Sequence, residues 1–88
     1  MTHSEPFFAQ ALASVPDSTR RQVEMSMAIS DRLVAMLGKR GMSQSDLARL
    51  MGRSRAEVSR WLGGTHNFTL STLALISSAL GEDVIEKI

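Results

Sequence analysis

Gln44-Ser45-Asp46-Leu47-Ala48-Arg49-Leu50-Met51-Gly52-Arg53-Ser54-Arg55-Ala56-Glu57-Val58-Ser59-Arg60-Trp61-Leu62 is the stretch whose reading decides the fold. Two short amphipathic segments flank one glycine, and each opens at a hydroxyl residue. Ser43 with Asp46 has the pattern of a capping box, although Asp is a weaker third member than Glu or Gln. Ser54 with Glu57 is the fuller version of the same box. Gly52 stands where a tight turn wants positive φ, and Ala48 is small where two helices would approach closely. Leu47, Met51, Val58, Trp61 and Leu62 recur at helical spacing and predict an apolar wedge between the two segments. Two short helices joined this tightly make the helix-turn-helix layout, whose second helix enters the major groove of DNA.

Upstream, the chain from Ser18 to Lys39 holds no proline and no glycine before Gly38. Met25, Ile29, Leu33 and Met36 recur there at spacings of four and three, with Val23, Met27, Val34 and Leu37 alongside. The pattern predicts a long amphipathic helix with a wide apolar face. Gly38 and Gly41 supply its stop, and Lys39 and Arg40 lie at the negative end of its dipole. Residues 1–17 read as a leader with a short helix, because Phe7, Phe8, Ala11 and Leu12 share one stripe. Pro16 ends that pattern, and Asp17 or Ser18 is placed to cap the next helix.

Downstream, Thr69 is a cap for a last helix, with Phe68 and Leu73 at staple positions and Gly81 after Leu80 as its end. Met42 and Leu47 are the matching staple upstream. Only Asp83–Ile88 alternates with period two, where Val84, Glu86 and Ile88 would share one face of a short strand. The organisation is therefore a leader (1–17), a domain (18–81, motif 44–62) and a tail (82–88), all-α with about five helices.

The net charge of +1 over 88 residues conceals an uneven distribution. Residues 39–61 carry Lys39, Arg40, Arg49, Arg53, Arg55 and Arg60 against Asp46 and Glu57, a local charge of +4. Residues 1–38 carry −1 and residues 62–88 carry −2. The positive charge coincides with the two-helix motif, as nucleic-acid binding requires. There are no cysteines, which excludes disulfides, thiolate metal sites and a Cys nucleophile. His3 and His66 have no cysteines or spaced carboxylates beside them, so no metal site and no cofactor are expected. No apolar run approaches the ~18 residues that span a bilayer, and no signal-peptide layout is present. A cytoplasmic protein without a membrane partner is the expectation. No nucleophile elbow, phosphate loop or paired-carboxylate arrangement is recognisable, so an enzyme is not expected.

From Gln44 through Ala48, Gly52, Ser54, Val58 and Trp61, the chain resembles the Cro/cI-type helix-turn-helix family, often called the XRE family. The resemblance extends from about Ile29 to Gly81, including Trp61-Leu62-Gly63-Gly64 and Phe68-Thr69-Leu70. It implies a five-helix, lambda-repressor-like DNA-binding domain, here with an extra N-terminal helical segment and a short C-terminal tail. Arg53 departs from the family, which usually places an aliphatic residue after the turn glycine. The size and layout are also similar to HigA-type antitoxins, which bind DNA, repress their own operon and neutralise a toxin.

The family resemblance implies that Arg55, Ala56, Ser59 and Arg60 reach base edges, an arginine bidentate to guanine being worth about 1–3 kcal/mol of discrimination. Without the motif, the same four residues would read as a solvated helix face. Gln44 resembles the family's phosphate-contacting glutamine, or is an exposed polar residue at a helix start. Ser54, Lys39, Arg40, Thr65 and Asn67 are further candidates for phosphate contact, with His66 either beside them or simply in solvent. Glu57 reads as a cap, with reading of a cytosine amino group as the alternative.

Trp61, three residues after Val58, reads as core rather than as a base-stacking residue. The methionines fall mostly on helix stripes, with one or two left for a subunit contact. A homodimer on a palindromic site is expected, joined through Val84, Ile85 and Ile88 of the tail or through Phe7, Phe8 and Leu12. The rival reading is a protein-interaction module, with the long helix or the leader binding a toxin or kinase and no DNA involved.

Overall fold

A computed structural model describes residues 15–86. Within them the chain forms four helices, α1 (Asp17–Arg40), α2 (Gln44–Met51), α3 (Arg55–Leu62) and α4 (Leu70–Leu80), and no strand. The all-α class is as expected. The short helix expected in the leader lies outside the described residues, and the domain after it has four helices where the resemblance implied five. The strand anticipated over Asp83–Ile88 does not form across the described part, where the chain turns back on α4 instead.

Leu33, Met36, Leu37, Leu47, Ala48, Val58, Trp61, Leu73, Ile76, Leu80 and Val84 make one buried core, and Met42, Met51, Leu62 and Phe68 pack against it. The wedge anticipated between the two motif helices is present. Leu47 and Val58 are fully buried, and Trp61 is a core residue at 1% exposure.

The apolar face of α1 differs from expectation. Leu33, Met36 and Leu37 are buried, but Val23, Met25, Met27 and Val34 are exposed, while Ser26 and Ser30 are buried. The inward line of α1 runs Ser26, Ser30, Leu33, Leu37, at spacings of four, three and four. The backbone of α3 reaches this line at Trp61, whose carbonyl accepts a hydrogen bond from Ser30. A small hydroxyl side chain suits that approach better than a larger apolar one.

The caps also differ in detail. α1 starts at Asp17 with Pro16 at its cap position and no side-chain cap, and the Asp17 carboxylate pairs with Arg20 and Arg21 at 3.2 and 2.7 Å. α1 runs through Gly38 and stops at Gly41, which is left-handed at φ 64°.

Gly81 closes α4, and the chain behind it folds back. The Val84 N–H donates to Ser77 Oγ (3.0 Å), Arg32 donates to the Asp83 carbonyl (3.0 Å), and Arg40 pairs with Glu82 (3.0 Å). The tail is thereby clasped to α1 and α4, with Val84 inside the core.

Candidate nucleic-acid interface

The two motif helices are both positioned by their own caps. At α2, Ser43 Oγ accepts from the Asp46 N–H (3.1 Å), and the Asp46 carboxylate accepts from the Ser43 N–H (2.8 Å), a complete capping box. The Ser43 N–H is the main reason that the Asp46 carboxyl is held below its ordinary pKa, with the Ser43 hydroxyl and Arg49 adding to it. At α3 only half of the box forms. Ser54 Oγ accepts from the Glu57 N–H (3.1 Å), but the Glu57 carboxylate turns to Arg53 (3.3 Å). The shorter Asp therefore closes the box that looked weaker in sequence. The Glu57 box is opened by the cation at the position where the family usually has an aliphatic residue.

Between the helices, Gly52 is left-handed at φ 65°, its N–H bonded to the Arg49 carbonyl and the Arg53 N–H to the Ala48 carbonyl (2.9 Å). Nothing lies within 4 Å of where a Cβ would stand at Gly52, so dihedral preference alone selects glycine there.

Val58 and Trp61 anchor one side of α3 in the core. Arg55, Ala56, Ser59 and Arg60 occupy the opposite side and are all exposed. Helix geometry puts these four within about 140° of arc, a single face. Glu57 lies off that face, partly buried beside Arg53, and does not share a surface with the four.

Ion pairs divide the six cations of the motif region. Arg49 pairs with Asp46 (3.4 Å), Arg53 with Glu57 (3.3 Å) and Arg40 with Glu82 (3.0 Å). Lys39, Arg55 and Arg60 have no ion pair among the described residues. The unpaired arginines are thus the two on the exposed face of α3. Arg40 is less available than sequence suggests, because Glu82 holds it and is itself pushed below its ordinary pKa mainly by that hydrogen bond.

Gln44 is the first residue of α2, half-buried, and Ser54 is the exposed cap of α3. Their helices each present first-turn N–H groups that have no intrahelical acceptor, the arrangement that receives a phosphate. Thr65 and Asn67 are exposed in the loop before α4, where His66 makes an edge-on ring contact with Phe68, centroids 4.8 Å apart.

Among the expected dimer residues, Val84 is completely buried in its own protomer, Ile85 is exposed, and Ile88 lies outside the described residues, as do Phe7, Phe8 and Leu12. Val84 therefore has no surface to offer a second copy: its side chain lies in the core, and its N–H is bonded to Ser77. Sequence reading missed Ser30, Ser26 and Glu82. The first two are polar residues on a helix whose neighbours are apolar. Glu82 could have been found only from its distance in space to Arg40.

The fold and this surface define a small helix-turn-helix DNA-binding regulator. The sequence model of the Cro/C1-type helix-turn-helix DNA-binding domain matches residues 32–86, more than half of the chain, and the protein belongs to that family. No curated protein and no solved structure matches it. Among the described residues, no helix is long and apolar enough to cross a membrane.

Proposed function

We propose that the protein is a sequence-specific transcriptional repressor that binds a near-palindromic operator as a homodimer. The observation that carries this reading is the single exposed face of α3, where Arg55, Ala56, Ser59 and Arg60 lie together and both arginines lack an ion pair among the described residues. Two copies would place two α3 helices in successive major grooves about 34 Å apart. Gln44, Ser54, Lys39, Thr65 and Asn67 hold the flanking phosphates in this reading, and Arg40 contributes once released from Glu82. Repression then needs no chemistry, since occupancy of the operator excludes polymerase.

The biological setting we favour is that of an antitoxin that represses its own operon, which a helix-turn-helix domain with helix added before it supports. A toxin gene abutting this one, and a stable complex between the two products, are the expected observations. Fluorescence anisotropy on fragments of the protein's own promoter tests the operator. Tight, salt-dependent binding to one fragment supports it, and equal binding to scrambled DNA counts against it.

One structural observation favours the rival reading as a protein-interaction module. An apolar groove of about 730 Å³ runs between the first half of α1 and α4, with Met25, Ile29, Phe68, Leu70 and Ile85 in its walls. Partner binding that survives removal of Arg55 and Arg60, with no change in gene expression, would favour that module over the repressor.

A further inference from the structure

The first half of α1 lies before the family-matched range and projects beyond the core, with every residue from Asp17 to Met25 exposed. It begins an apolar strip that the other described residues leave exposed and that continues to Val34 in the second half of the helix. Val23, Met27 and Val34 are 43%, 49% and 50% exposed. At about 100° per residue they fall within roughly 40° of one another around the helix. The loop after α3 passes near Met27, since a Cβ added at Gly64 would stand 3.8 Å from its Cγ.

Arg20 and Asp31 lie along one edge of this strip, about 20° apart around the axis. Asp31 has no ion pair among the described residues, and Arg20 has only an exposed contact to Asp17 at 3.2 Å. Such an exposed pair is weak and exchanges readily.

The midpoint between Arg20 and Asp31 falls between Met25 and Ser26, and the midpoint between Val23 and Met27 falls at Met25. One two-fold axis at that level therefore serves both pairs. It sets Val23 against the partner's Met27 and Arg20 opposite the partner's Asp31, each contact occurring twice. Glu24 stands further round the helix and about 6 Å along the axis from the partner's Asp31. A strip of oppositely charged ends and apolar centre with a shared midpoint is self-complementary in the antiparallel sense, as a two-fold interface demands.

We propose that the exposed strip Arg20–Val23–Met27–Asp31 of α1 is the surface on which a second copy of this chain docks, helix antiparallel to helix. This rests on the homodimer reading and gives it a location. The arrangement leaves the exposed face of α3 uncovered, because α3 faces α1 through Trp61 and not through its arginines.

The test uses the full chain, without DNA, by analytical ultracentrifugation and native mass spectrometry. Wild type is expected to be dimeric. Arg20→Asp and Asp31→Arg should each weaken self-association at least about tenfold, through two like-charge contacts. Mixed together, the two variants should form a heterodimer, because each supplies the charge that the other lacks, and the double swap should restore the homodimer. Met27→Asp, a change at an exposed site, should give a folded monomer, with helicity checked by circular dichroism.

A monomeric wild type, as when the leader or another protein covers the strip, overturns the proposal. So do single swaps that dimerise like wild type, or a mixture that does not rescue. If the chain dimerises through α1 but binds no operator, the repressor reading falls and this surface stands. If it binds an operator as a dimer that the swaps do not disturb, only this surface falls.

Discussion

Ser30 on α1 donates a 2.6 Å hydrogen bond from Oγ to the main-chain carbonyl of Trp61 in the last turn of α3, and Ser30 is 1% exposed. The carbonyls of a last turn have no intrahelical donor, so this bond both satisfies one of them and fixes the helix that carries the DNA-facing residues. Ser30→Ala leaves that carbonyl without its donor in a dry site and should cost about 1–3 kcal/mol. Thermal or urea unfolding measures it. Ser30→Val should cost more, since it also adds bulk at a site that is 1% exposed.

The ion pairs predict unequal roles for the basic residues. Arg55→Ala and Arg60→Ala should each lose about 1–3 kcal/mol of discrimination between base sequences. Lys39→Ala should weaken all DNA alike and lower the salt slope by about 1. Arg40→Ala should do less than Lys39→Ala while Glu82 is present. Glu82→Gln should release Arg40 and strengthen non-specific binding. Binding titrations at several salt concentrations distinguish these outcomes, and an Arg40 effect indifferent to Glu82 contradicts the clasp.

Gly52→Ala should cost roughly 1–2 kcal/mol, the penalty of a left-handed L-residue. Space is not limiting there, so Gly52→Asn should be milder than Gly52→Ala. Equal stability of all three proteins would mean that the turn does not need its φ of 65°.

The contrast at Gly52 shows what sequence made legible. Gly52, Gly81 and the serine and threonine caps act through local rules, so their roles were readable from spacing alone. The exposed face of α3 was readable too, because Val58 and Trp61 define its opposite. What failed depended on contacts between distant segments. The choice of Ser26 and Ser30 over Met25 and Met27 for the inner face is set by where the α3 backbone arrives. The burial of Val84 is set by Ser77, and the partial loss of Arg40 as a free cation by Glu82, 42 residues later. Glu57 left its box because Arg53 competed for it, a rivalry that a pattern of four residues does not register.

Asp46 gives a prediction in pH. Its carboxyl is held below the ordinary value of 3.8 in the folded protein. The folded state thus binds that proton less readily than the unfolded one. The stabilisation is complete above about pH 5 and is lost as pH falls through 3.8 and below. Asp46→Asn should lower stability at neutral pH, and the gap to wild type should narrow on acidification. Denaturant unfolding from pH 7 to pH 3 checks it, and a gap that stays constant would remove Asp46 from the account.

The central claim, that the exposed face of α3 reads a DNA sequence, is tested most directly by one titration. Wild type and the Arg55→Ala, Arg60→Ala double variant are titrated against the protein's own promoter fragment and a scrambled copy, from 50 to 200 mM salt as in common practice for such slopes. Wild type should prefer the promoter by about a thousandfold or more. The double variant should lose most of that preference while keeping a steep salt dependence. Wild type binding both fragments equally, or a double variant with its preference intact, would contradict it.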